Sequence, residues 1–134
     1  MSVDKKILVV DDDIDFVEPI KTLLEINGYE VIAAQDGREG MEKACSKQPD
    51  VILLDVMMSR LSEGFDTFRE LRSRAETKNI PVIMTTSINA KVPFKFGPDK
   101  TWLPVDKFIE KPISPEKLLE ELEKTIGPDK KRGQ

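Results

Sequence analysis

Val51-Ile52-Leu53-Leu54-Asp55 is a run of four apolar residues that stops on a carboxylate. Apolar residues with β-branched members among them suit the interior of a strand. An aspartate at the carboxyl end of such a strand lies where open α/β sheets place their ligands. The fold depends on whether the flanking sequence supplies further strands of the same kind, and the function on what else converges on Asp55.

Upstream, Lys5 and Lys6 precede Ile7-Leu8-Val9-Val10, a strand-like run with no helical period, which ends on Asp11-Asp12-Asp13. Asp13 suits the cap of a following helix, and Asp15 in its first turn suits the dipole. Phe16, Ile20, Leu23, Leu24 and Asn27 keep a helical spacing, with Gly28 as the stop. Pro19 within that helix removes one backbone hydrogen bond and is expected to bend its first turns. Tyr29 to Ala34 reads as a second strand. Asp36-Gly37 then opens a helix with Met41, Ala44 and Cys45 on one side, which Pro49-Asp50 breaks.

Downstream of Asp55, residues Val56 to Gly64 read as a loop. A helix follows with Phe65, Phe68, Leu71, Arg72 and Ala75 at helical intervals. Ile80 to Thr86 reads as a fourth strand, with Pro81 tolerated near its start. The segment from Ile88 to Asp106 holds Pro93, Gly97, Pro98 and Pro104, which leaves little room for a regular helix. Its Phe94, Phe96 and Trp102 either pin the segment to the core or form a partner patch. Val105 to Glu110 reads as a fifth strand running into Lys111-Pro112. Ser114-Pro115-Glu116 starts a last helix, with Leu118, Leu119, Leu122 and Ile126 as its buried stripe and Gly127-Pro128 as its end.

The order βαβαβαβ, an irregular crossover, then βα demands a parallel sheet covered on both faces. The expectation is an α/β doubly wound sheet of five parallel strands in the order 2-1-3-4-5, with an atypical or missing fourth helix. One domain is expected over residues 1–127, followed by a flexible C-terminal tail at 128–134 that carries Lys130-Lys131-Arg132.

Bulk composition narrows the chemistry. The 134 residues are 39% hydrophobic and 34% charged, which describes an ordinary globular chain able to bury a core without disulfides. The single Cys45 cannot form an intrachain bridge and fits a reducing cytoplasm. No apolar run approaches the length of a membrane span, and no signal peptide is expected before the first strand. A net charge of -4 argues against nucleic acid as a direct partner. With no histidine in the chain, a His general base, a Ser-His triad and His-ligated zinc are excluded. The chemistry must run on carboxylates, hydroxyls and lysines, with or without a hard, oxygen-liganded cation.

In a sheet of order 2-1-3-4-5 the first and third strands are neighbours at the switch point. Asp11 and Asp12 then end the first strand, Asp55 the third, Thr86 the fourth and Lys111 the fifth. Three carboxylates together raise one another's pKa unless something neutralises them. Mg²⁺ suits that task, taking one or two carboxylates plus waters and phosphate oxygens. Lysine and threonine supply the donors a phosphoryl group needs, so the site suits a phosphoryl group carried on a carboxylate.

Four motifs in order, Val9-Val10-Asp11-Asp12, Leu54-Asp55-Val56-Met57-Met58, Pro81 to Thr86 and Phe108-Ile109-Glu110-Lys111-Pro112, resemble the receiver domains of two-component response regulators. The resemblance covers about residues 5 to 126 and implies a CheY-like, flavodoxin-like fold. It implies that Asp55 is the phosphoacceptor for a histidine kinase or histidine phosphotransfer protein. It implies Mg²⁺ held by Asp11, Asp12, Asp55 and the backbone carbonyl of Met57. By the same resemblance Thr86 is the switch hydroxyl, Phe108 the coupled aromatic and Lys111 the phosphate-binding cation. The signal would leave by contact with a downstream protein target, with no output domain in this chain.

Three departures from the family pattern stand out. Ser59 and Glu63 occupy positions usually held by Pro and Gly, with Gly64 one place late, which implies an extra residue in the loop. The interval from Thr86 to Lys111 is long and lacks the usual Gly-Ala pair before the fifth strand. Met57 and Ile88, two positions beyond Asp55 and Thr86, are apolar where the family tunes attack of water, which implies a long-lived phosphoryl state. Two rival functions compete with this one. Val9 to Asp13 also resembles the nucleophile motif of haloacid-dehalogenase-type phosphatases, with Asp11 attacking and Asp13 as acid. The other rival is a receiver-like interaction module that is never phosphorylated.

Overall fold

A computed structural model of the chain describes residues 5–55, 63–87, 107–111 and 113–126, the side chains at 63–65, 86, 87, 107, 108, 110 and 111 excepted. The elements run β1 (Lys6–Val10), α1 (Ile14–Ile26), β2 (Glu30–Ala34), α2 (Gly37–Lys47), β3 (Val51–Asp55), α3 (Glu63–Ser73), β4 (Val82–Ser87), β5 (Lys107–Lys111) and α4 (Pro115–Ile126). The strands form one sheet in the order β2-β1-β3-β4-β5, as expected from the sequence. Every pairing is parallel. The segment 88–106, where an atypical or missing helix was expected, lies outside the described residues, as does the tail at 128–134.

Strand alternation divides the core into two layers. Leu8, Val10, Ile52, Leu54, Val82 and Met84 point one way and meet Met41 and Ala44 of α2 with Phe68 and Leu71 of α3. Ile7, Val9, Val51, Leu53 and Ile83 point the other way and meet Val17, Ile20 and Leu24 of α1 with Leu118 and Leu122 of α4. Both faces are covered, which is why β1 and β3 carry unbroken apolar runs. The run at 51–55 is buried along its whole length, Asp55 included.

Local signals place the helix ends. The Asp13 carboxylate accepts from the Asp15 N–H at 3.0 Å, as a cap at that position should. Gly28 takes φ 94°, and the chain closes α1 with Gly28 N–H donating to Glu25 O at 3.1 Å and Tyr29 N–H to Leu24 O at 3.0 Å. The helix runs through Pro19, which lies on its exposed side. Asp36 caps α2 by accepting from Glu39 N–H at 2.8 Å, and the Glu39 carboxylate reaches back to Gln35 N–H at 2.9 Å.

Several boundaries differ from the sequence expectation. Asn27, at helical spacing in the sequence, is the exposed C-cap of α1, with its side-chain amide donating to Leu23 O at 2.9 Å. Val17 takes the buried place on that face. Ala75 lies past the end of α3 and is exposed. The buried Thr77 closes this end instead, its hydroxyl donating to Leu71 O at 2.6 Å, because the last carbonyls of a helix need donors from elsewhere. The fourth strand begins at Val82 and not Ile80, since Pro81 has no N–H for the ladder. Its carbonyl still accepts from Ile52 N–H at 3.0 Å. The fifth strand runs Lys107–Lys111, displaced from the expected 105–110, with Ser87 paired to Lys111. In α4 the buried set is Leu118, Glu121 and Leu122, with Leu119 and Ile126 half-buried.

Gly40 lets α2 lie close on β1: a Cβ there would stand 2.9 Å from Val10 Cγ2 and 3.1 Å from Cγ1. Replacing it with alanine gains about 1 kcal/mol of helix propensity but forces overpacking of about 1–3 kcal/mol. Gly40→Ala is therefore expected to melt a few degrees below the parent, read by circular dichroism. The Gln35 N–H and the Lys43 ammonium hold the Glu39 carboxyl below the usual glutamate range. A depressed folded pKa contributes stability above the unfolded pKa that is lost as pH falls through the folded value. The melting deficit of Glu39→Gln is thus expected near neutrality and should shrink as acid protonates Glu39 in the folded state.

Candidate functional site

The parallel register brings the carboxyl ends of the strands to one edge. Val10 pairs with Leu54, so the next residues, Asp11 and Asp55, stand side by side. Asp11 prolongs the β1–β2 ladder by donating its N–H to Ala34 O at 3.0 Å. Asp55 pairs with Thr85, which is buried. Strand alternation carries Asp55 onto the face that α1 and α4 cover, at the mouth of the crevice between β1 and β3.

Carboxylate oxygens of Asp11, Asp12 and Asp55 all lie within 4.8 Å of one another. Asp11 and Asp55 are 2% and 3% exposed, whereas Asp12 is exposed. Two buried acids and one at the rim form an all-oxygen donor set, open on one side. That set suits a hard divalent cation such as Mg²⁺ and not a soft transition metal. One oxygen of Asp11, Oδ1, accepts from the Asp13 N–H at 2.9 Å. Asp13 keeps its own carboxylate on the cap of α1.

Of the other residues singled out in the sequence, Thr86 belongs to β4 and is paired with Glu110 of β5. Lys111 ends β5 opposite Ser87, and Phe108 pairs with Met84. The Thr86 and Lys111 backbones reach the same edge as the carboxylates, whereas Phe108 is level with Leu54, one residue short of Asp55. Met57 and Ile88 lie outside the described residues. Sequence reasoning did not single out the surroundings of Asp12. A cavity of about 310 Å³ opens beside Asp11 and Asp12, walled by Ile14, Val17 and Ala34 and rimmed by Glu18, Gln35 and Glu39. The capping pattern at Asp36-Gly37 was the available signal for Glu39, but nothing in spacing tied it to Asp12.

This arrangement meets its explanation in comparison with known proteins. The model of the response regulator receiver domain matches residues 7–123. The chain belongs to that family. The response regulator MprA of Mycolicibacterium vanbaalenii is 39% identical over 114 residues, which is 85% of this chain and 47% of that protein. The chain thus spans about half the length of the first curated relatives it matches. Protein PilH of Pseudomonas aeruginosa is 32% identical over 91% of this receiver and 98% of its own length. Among solved structures, the chemotaxis protein CheY4 of Vibrio cholerae superimposes with a TM-score of 0.80 at 32% identity, over 92% of this chain and 99% of that one. The receiver domain of the sensor histidine kinase PA1611 from Pseudomonas aeruginosa gives a TM-score of 0.80 at 25% identity, covering 94% of this chain and 100% of its own. That structure has a magnesium ion in its active-site cleft.

Family membership overturns the phosphatase reading. The Asp13 carboxylate, which that reading requires as an acid, is engaged at a helix cap. Among the described residues no helix is long and apolar enough to cross a membrane.

The cluster makes a direct prediction. A cation at 100 times its Kd stabilises a fold by about 2.7 kcal/mol. Mg²⁺ is expected to raise the melting temperature of the parent, and Asp12→Ala should abolish that rise. Without Mg²⁺ the same variant should melt no lower than the parent, since it relieves repulsion without opening the core. Calorimetric melts with Mg²⁺ and with chelator read both effects.

Proposed function

We propose that this receiver takes a phosphoryl group onto Asp55 from the phosphohistidine of a histidine kinase or a histidine phosphotransfer protein. The observation that supports it is the cluster of Asp11, Asp12 and Asp55 at the β1–β3 crevice of a receiver fold. In the transfer an Asp55 oxygen attacks phosphorus, the P–N bond breaks, and the imidazole leaves with the electron pair and takes up a proton. Asp11, Asp12, Asp55 and the Met57 carbonyl would hold Mg²⁺, which supplies charge neutralisation between carboxylate and phosphoryl oxygens. The Lys111 ammonium and the Thr86 hydroxyl would donate to the phosphoryl oxygens, with Phe108 coupled to Thr86 as the switch.

The receiver would comprise residues 1–127, with 128–134 a tail. It is a signalling phosphoacceptor that catalyses only its own phosphorylation and dephosphorylation. It acts in the cytoplasm by contact with a downstream protein target, without direct binding of nucleic acid and without membrane insertion. The net charge of -4 and the lone Cys45 support that setting.

Incubation with acetyl phosphate and Mg²⁺, followed by peptide mapping, is expected to find one phosphoryl group in the peptide holding Asp55 and none in Asp55→Ala. Modification of Asp11 would sink the proposal, and no modification at all would favour the unphosphorylated interaction module. With Met57 and Ile88 unable to orient a water, the acyl phosphate should persist far beyond seconds. Following its loss by intact mass against time tests this, and Met57→Glu is expected to shorten the lifetime.

A further inference from the structure

Asp13 belongs neither to the carboxylate cluster nor to the buried core, yet it touches both the site and the helix behind it. Its main-chain N–H donates to Asp11 Oδ1 at 2.9 Å. Its main-chain carbonyl accepts from Phe16 N–H and Val17 N–H, each at 3.0 Å. Its side chain accepts from Asp15 N–H at 3.0 Å. The residue therefore sits in extended backbone, φ -97° and ψ 99°, clamped to the first turn of α1 by both its carbonyl and its carboxylate.

This clamp bears on Asp11. The last torsion of an aspartate is broad, because rotation about Cβ–Cγ joins sp³ to sp² carbon. A hydrogen bond to one carboxylate oxygen removes that freedom and sets where the other oxygen points. The donor is useful only if the peptide between Asp12 and Asp13 keeps its orientation, and the cap of α1 is what holds it. Hydrogen-bond partners of this kind orient the groups that touch a metal.

We propose that Asp13 is a positioning residue for the Mg²⁺ site: by capping α1, its carboxylate fixes the N–H that aligns Asp11. The inference rests on the reading of Asp11, Asp12 and Asp55 as the Mg²⁺ site. It assigns to Asp13 the role of a hydrogen-bond acceptor and not of a charge. Side chains that cap equally well without a charge should then serve in its place.

The test is titration calorimetry of the full chain with Mg²⁺, well below the melting temperature, for the parent, Asp13→Ala, Asp13→Asn and Asp13→Ser. Melting temperatures of all four are taken in chelator. Asp13→Ala is expected to bind Mg²⁺ about tenfold more weakly. Asp13→Asn and Asp13→Ser should stay within about threefold of the parent, the loss of one exposed charge being screened by salt. If Asp13→Ala melts lower but binds as the parent does, the cap is structural only and the proposal falls. If all three variants weaken alike, the charge is what matters and the proposal falls again. A parent that binds no Mg²⁺ would instead remove the site reading on which the proposal stands.

Discussion

Like charges at the end of a sheet are the constraint from which the site follows. Unit charges about 4 Å apart near a protein surface interact by about 4 kcal/mol. Asp11, Asp12 and Asp55 come within 4.8 Å of one another, and two of the three are buried. A fold accepts such a cluster only if the scaffold around it is rigid enough to impose it. Here the scaffold is the β1–β3 pairing, flanked by β2 and β4 and covered on both faces. A cluster of this composition suits a hard divalent cation, which lowers the cost of holding three carboxylates together.

The two faces of the sheet divide the labour. The layer with α2 and α3 is packed tightly enough that Gly40 admits no Cβ over Val10, directly before Asp11. The layer with α1 and α4 lies beneath Asp55 and begins, at its α1 end, with the residues that follow the acidic pair. Asp13 links the two tasks, since one residue both starts a helix and holds a site carboxylate. Gln48 performs a comparable structural service on the opposite edge. It adopts φ 52° at the C-cap of α2, and its amide donates to Ala44, Cys45 and Glu76 carbonyls, each at 3.2 Å.

Much of this was legible in the sequence where one local rule governs one residue. Strand runs ending on Asp11 and Asp55, the Asp13 and Asp36 caps and the Gly28 stop all express short-range chemistry. The strand order followed from alternation of element types, which admits few topologies. The misreadings arose where tertiary context decides. Ala75 keeps helical spacing, but the chain ends α3 before it can face the core. Glu121 is buried on a face that periodicity assigns to leucines, because burial depends on what packs over the helix and not on its period alone. The close approach at Gly40 and the cavity beside Asp12 depend on distances between elements, and no pattern within one element carries that information.

The strand order has a consequence for the route by which the chain folds. The strand β1 can pair with β2 through a short local crossover, but Asp11 meets Asp55 only when β3 docks on the other edge of β1. Parallel pairing across intervening helices is slow, because loop closure must be met before its contacts form. The share of the electrostatic penalty that Asp55 adds therefore belongs to docking of β3 and not to pairing within the first βαβ unit. The first βαβ unit carries only the Asp11–Asp12 pair, and the three-carboxylate cluster is complete only when the centre of the sheet closes.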